Sequence, residues 1–188
     1  ISVANTNDAP TISSTAVTAA TEDAAYTYTV TAADVDSGDT VTLAGTTVPS
    51  WATFTASTGV LAGTPDNDDV GDHSVVITAT DAAGASATDT FTISVANTND
   101  APTISSTAVT SATEDAAYTY TVTAADVDSG DVITLAGTTV PSWATFTAST
   151  GVLAGTPANG DVGSNSVVIT ATDAAGASVT DTFTITVA

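Results

Sequence analysis

No lysine or arginine occurs anywhere in the 188 residues, and a single histidine stands against 21 aspartates and glutamates. The formal charge of −21 at neutral pH has no internal cation to offset it, and like charges at that density repel one another unless a counterion is recruited. Nucleic acid and anionic membrane surfaces are excluded as electrostatic partners, because no side chain is able to neutralise a phosphate. Cysteine is also absent, which removes disulfides and thiolate metal sites. The carboxylate and amide oxygens that remain suit hard divalent ions such as calcium. No apolar run approaches the roughly 20 residues of a spanning helix, so direct membrane insertion is not expected. No secretory leader is recognisable either, and the chain reads as a piece of something larger. What the sequence does contain is apolar material, 43% of its residues, enough for packed cores.

The chain repeats itself. The stretch that begins at Ile1 returns at Ile93, Trp51 returns as Trp143 and Glu22 as Glu114, a period of 92 by subtraction (93 − 1), with about nine differences over the overlap. A period this long points to an array of whole domains, not to a solenoid. Residues 1–8 read as the tail of a preceding repeat, 9–96 as a first domain and 97–188 as a second, with 97–102 as the linker. Within a copy, Tyr26, Tyr28, Val30 and Ala32 alternate with Thr27, Thr29 and Thr31, the period-two pattern of a strand with one buried face. Val41 with Leu43, Val75 with Ile77, and Phe91 with Ile93 and Val95 repeat it. Turn signals fall at Asp36–Gly38, Ser57–Gly59, Gly63–Pro65 and Ala83–Gly84. About seven short strands per copy predict an all-β protein of two tandem immunoglobulin-like, cadherin-like Greek-key β-sandwiches.

Most acidic residues sit in turns at the ends of these strands: TED at 21–23, DVDSGD at 34–39, PDNDD at 65–69, ATD at 79–81 and NTNDAP at 97–102. This order resembles the calcium-binding pattern of cadherin repeats. The phrasing PSWATFTASTGVLAGTP, VGDHSVVITATDAAG and NTNDAP resembles, more closely, the dystroglycan-type cadherin-like modules of bacterial surface proteins and large adhesins. The resemblance covers both copies. It implies that Glu22 serves as the first-strand glutamate, Asp66 and Asp68 as the lower acidic pair, and Asn97, Asn99 and Asp100 as linker ligands. Asp126, Asp128 and Asp173 complete the set on the upper side of the linker. At the start of the chain Asn7, Asp8, Asp34, Asp36 and Asp81 make the equivalent upper half. The linker's first aspartate falls on Ala96, which implies one or two ions in place of three. Copy two carries Ala158 and Gly160 where copy one has Asp66 and Asp68, so a full site is expected between the copies, partial occupancy near Asp34 and little near Glu114.

Other readings are weaker. DVDSGD opens like an EF-hand loop, but Gly38 comes one place early and Gly45 stands where the closing glutamate belongs. His73, replaced by Asn165 in the second copy, has no second histidine or cysteine to form a zinc or catalytic site and is expected to face solvent. Trp51 and Trp143 are expected to pack in the fold, the alternative being a sugar-binding ledge. The threonine faces are expected to be solvated. No nucleophile with its histidine and acid recurs in both copies, so the protein is expected not to be an enzyme. The expected role is a calcium-stabilised structural extender of a secreted or cell-surface adhesin whose partners are neighbouring repeats of the same chain. The alternatives are a carbohydrate-binding module that grips polysaccharide, and calcium-dependent homophilic adhesion to another cell-surface array.

Overall fold

The computed structural model describes residues 4–188; the first three of the eight residues read as a preceding tail lie outside the described residues. The chain divides into two compact units, Ile1–Thr98 and Asn99–Ala188. In the first unit the strands are β1 (Thr11–Ile12), β2 (Ala19–Thr21), β3 (Tyr26–Thr29), β4 (Ala32–Ala33), β5 (Thr42–Thr47), β6 (Ala52–Thr55), β7 (Val60–Gly63), β8 (Gly71–Thr80) and β9 (Ser86–Ala96). One sheet runs β2-β9-β8-β5, the other β3-β7-β6, and β1 pairs with β4 over two residues. All pairings are antiparallel except β2 with β9, which run parallel. The second unit repeats the plan with β10 (Thr103–Ile104), β11 (Ser111–Ala112), β12 (Tyr118–Thr121), β13 (Ala124–Ala125), β14 (Thr134–Thr139), β15 (Ala144–Thr147), β16 (Val152–Gly155), β17 (Gly163–Thr172) and β18 (Ser178–Val187). Its sheets are β11-β18-β17-β14 and β12-β16-β15.

The expected all-β sandwich is present in both copies. Among the described residues there are nine strands per unit and not about seven, because β1, β2 and β4 are two or three residues long and carry too little alternation to register as separate runs. The Tyr-Thr alternation does what its period requires: Tyr26, Tyr28 and Val30 are buried and the threonines between them exposed. These side chains meet Leu61, Val75, Ile77, Ile93 and Val95 in one core, and Tyr118, Tyr120, Val122, Leu153, Val167, Ile169, Ile185 and Val187 form its twin. The tyrosine hydroxyls are satisfied inside the sandwich. Tyr26 Oη donates to the Val17 carbonyl at 2.7 Å, and burial pushes its phenol up to about 12.

Trp51 packs partly buried against the first core, edge-on to Tyr26 with ring centroids 5.5 Å apart; Trp143 does the same with Tyr118. His73 departs from expectation. It is half-buried, its ring lies edge-on to Trp51 at 5.9 Å, and its Nε2 donates to the Asp69 carbonyl at 2.6 Å. His73 shares the inward register of β8 with Val75 and Ile77, which turns its ring toward the core and not toward solvent. In the second unit Asn165 makes the equivalent bond from Nδ2 to the Asp161 carbonyl, and its Oδ1 also accepts from Trp143 Nε1 at 3.2 Å. Trp51 Nε1, by contrast, is buried without a partner. His73→Asn is therefore expected to stabilise the first unit by about 1 kcal/mol, the net worth of one recovered hydrogen bond, read as a higher melting midpoint. A lower midpoint would mean that the histidine ring contact outweighs the indole bond.

Candidate metal centre

The acidic residues are positioned by strand ends. The Glu22 amide donates to the Ala96 carbonyl at 3.1 Å, which continues the parallel pairing of β2 and β9 by one step. Asp23 then turns the chain with φ +59 and donates its amide to the Pro65 carbonyl at 2.9 Å. This arrangement drives the Glu22 side chain inward at the end of β9, where it is 1% exposed. Its Oε1 accepts the Thr98 amide, and its Oε2 is buried with no partner.

In the second unit, the eight residues between β13 and β14 include Asp126, Asp128 and Asp131. Gly130, at φ +93 with open space around it, gives the turn a left-handed step that a side chain would strain. The Asp131 amide closes back on the Asp128 carbonyl at 3.2 Å. Oxygens from these three carboxylates lie within 4.8 Å of one another. Asp126 Oδ1 accepts the Asp128 amide at 3.0 Å, and Asp128 Oδ2 accepts the Asp100 amide at 2.8 Å. Asp126 Oδ2, Asp128 Oδ1 and Asp131 Oδ2 are all buried without a hydrogen bond. Asp173, at the end of β17, is 5% exposed. It accepts from the Gly176 and Ala177 amides and from Asn99 Nδ2 at 2.8 Å. The Asn99 bond, with help from the backbone amides, holds its carboxyl below the usual range. Asp131 moves the opposite way: burial, then the negative charges of Asp126, Asp173 and Asp128, push it up.

The first unit has the same construction. Asp34, Asp36 and Asp39 approach within 4.8 Å, Asn5 Nδ2 and the Asp8 amide bond to Asp36, and Asn7 Nδ2 donates to Asp81 at 2.9 Å. Asp81 is 6% exposed, and Asp34 Oδ2 is buried without a partner.

The predicted residues thus fall into groups. Asn99, Asp100, Asp126, Asp128 and Asp173 gather at one end of the second unit, and Asn7, Asp8, Asp34, Asp36 and Asp81 at the equivalent end of the first. Asn97 is exposed. Asp66 and Asp68 lie elsewhere in local structure. Both are exposed, and Asp66 caps a single 3-10 turn at Asn67–Asp69, its Oδ1 accepting the Asp68 amide at 3.0 Å. Neither belongs to a group of approaching acids among the described residues. Asp39 and Asp131, which lie outside the set the motif implies, approach the first two acids of DVDSGD because the turn folds its last residue back onto them.

The donor set fits calcium: only oxygens, several of them buried carboxylate oxygens without partners, in a sequence with no lysine or arginine to pair them. Buried charge left unpaired is costly, and hard divalent ions are what such oxygens bind.

Fold and site together define a tandem immunoglobulin-like, cadherin-like β-sandwich protein with acidic strand ends. More particularly, the chain belongs to the family described as "Putative Ig domain", whose model matches residues 9–96 and 101–188. It is similar to a serine-rich adhesin for platelets of Staphylococcus aureus, with 33% identity over 138 residues. That match covers 73% of this chain and 6% of the adhesin, so the chain spans a small fraction of its curated relative. Among solved structures it is similar to protocadherin gamma B2 extracellular cadherin domains 1–5, with a TM-score of 0.64 and 19% identity over 98% of this chain and 41% of that one. The protocadherin gamma B4 extracellular domain follows at 0.56 and 21%, over 96% and 34%. These structural likenesses bear on the fold alone.

Proposed function

We propose that the two sandwiches are calcium-stabilised extender units of a secreted or cell-surface adhesin, non-enzymatic, whose immediate partners are neighbouring repeats of the same array. The observation that carries this reading is the set of buried, unpartnered carboxylate oxygens at strand ends in a chain of charge −21 without lysine or arginine. Similarity to an adhesin supports the surface location and the adhesion context. The proposed ligands are Glu22 and Asn97 of the first unit, Asn99, Asp100, Asp126, Asp128 and Asp173 of the second, and Asn7, Asp8, Asp34, Asp36 and Asp81 as the upper set of the first repeat. Asp66 and Asp68 hold a smaller place in this proposal than the motif suggests, because a capping role already accounts for the Asp66 carboxylate. The packing of Trp51 and Trp143 against tyrosines speaks for the spacer and against a sugar-binding ledge.

Melting in calcium and in chelator tests the reading. An ion that binds only the folded state stabilises it by mass action, about 1.4 kcal/mol at tenfold excess over Kd. With the roughly 0.1–1 mM affinities of extracellular sites, 10 mM calcium is expected to raise the midpoint by roughly 5–10 °C. Superimposable melting curves in calcium and chelator would remove the proposal.

A further inference from the structure

We propose that the DVDSGD turn holds a cation within a single repeat, and that Asp131, with Asp39 as its counterpart, is a ligand of that ion. The inference rests on the calcium reading and adds a residue that neither the motif comparison nor the linker supplies. Asp126, Asp128 and Asp131 bring oxygens within 4.8 Å of one another, and each keeps one buried oxygen without a hydrogen bond. Asp128 is the independent pointer to a ligand: it is only 7% exposed, one oxygen takes the Asp100 amide, and Oδ1 is left inside the fold with nothing to bind.

A structural role in the turn does not account for Asp131. Its backbone amide already closes the turn on the Asp128 carbonyl, and Gly130 supplies the left-handed step. The buried Oδ2 adds no bond to either feature; it adds only repulsion toward Asp126, Asp173 and Asp128, the charges it faces. A carboxylate kept in such a position makes physical sense when a divalent cation neutralises the three together, with water completing the six to eight oxygens that calcium takes. All three acids come from one turn of one unit, and DVDSGD is identical in both copies. The ion-binding turn is therefore independent of the difference between Asp66 and Ala158.

The test is calorimetric titration of the whole 188-residue chain with calcium chloride, comparing wild type with Asp131→Asn, Asp39→Asn and the double variant, each checked for folding by circular dichroism in chelator. Each single variant is expected to lose one bound ion or to bind it at least tenfold more weakly. The double variant is expected to lose that class in both repeats while calcium at other sites persists. In chelator the variants are expected to be as stable as wild type or more so, since asparagine removes repulsion. Titrations of both variants that superimpose on wild type would overturn the inference and leave the calcium reading intact. So would variants that are unfolded in chelator, because Asp131 would then be a folding residue. A wild-type chain that takes up no calcium would instead sink the calcium reading, and the inference with it.

Discussion

Gly155→Ala is expected to unfold the second repeat at temperatures where the first stays folded. Gly155 ends β16, the central strand of its sheet, where it pairs with Tyr118 on one side and Ala144 on the other. A Cβ there would sit 2.1 Å from the Trp143 carbonyl oxygen and 2.8 Å from the Ala144 Cα, both backbone atoms. No side-chain rotation relieves such a clash; the β15–β16 pairing must open, or the strand must shift against the tyrosines of the core. Overpacking of a well-filled site costs typically 1–3 kcal/mol and occasionally more. Because the clashing atoms are backbone, the upper end of about 3 kcal/mol applies, which for a domain near 90 residues lowers the midpoint by more than about 10 °C. The two wild-type sandwiches are almost the same sequence and should melt together, so the variant's calorimetric trace should split into two transitions. Gly63→Ala, with its Cβ 2.2 Å from the Trp51 carbonyl, should move the other transition. A single unshifted transition in either variant would contradict the strand pairing.

That glycine shows what was and was not legible in the sequence. Long alternating runs announced themselves, because period-two burial is written directly in Tyr26, Thr27, Tyr28 and Thr29. Turn signals at Ser57–Gly59 and Gly63–Pro65 bounded them. The short strands were not legible: two residues such as Thr11 and Ile12 carry no periodicity, and their pairing with Ala32 and Ala33 depends on where the rest of the chain places them. Nor was the parallel pairing of β2 with β9, which joins residues more than seventy positions apart and sets the depth of Glu22. The candidate metal site was legible as a list of acids near strand ends, because turns concentrate aspartate. Which of those acids face each other was not, since it depends on φ at Gly38 and Gly130 and on the reach of Asn7 and Asn99. Thus the motif alone does not bring Asp39 and Asp131 to their neighbouring acids. Asp66 and Asp68 match the motif as ligands, and the Asp66 carboxylate also caps a turn. The expectation that His73 faces solvent fails because its register on β8, set by pairing with Ile93, turns it toward Trp51.

The sharpest consequence of the proposed calcium role is a change of sign at Glu22. Glutamine has the shape of glutamate and keeps an oxygen for the Thr98 amide, so Glu22→Gln alters charge with little effect on packing. In chelator the wild-type carboxylate is 1% exposed and has one oxygen without a partner, and an uncompensated buried charge costs several kcal/mol. The glutamine leaves instead an unpaired amide N–H, at about 1–3 kcal/mol. The variant is thus expected to be more stable than wild type by about 1 kcal/mol or more once calcium is removed. In 10 mM calcium the order should reverse, because a neutral amide oxygen is a weaker ligand than a carboxylate. A hundredfold loss of affinity corresponds to about 2.7 kcal/mol, enough to outweigh the gain of about 1 kcal/mol in chelator. Melting midpoints of the two proteins in both conditions supply the four numbers required. A variant less stable than wild type in both would mean that Glu22 serves the fold through its bond to Thr98 and not through an ion. A variant more stable in both would mean that the charge is a burden no cation relieves. Only the crossing identifies a buried carboxylate that destabilises the empty protein and stabilises the loaded one, which is how calcium would make the firmness of such an array depend on the ion outside the cell.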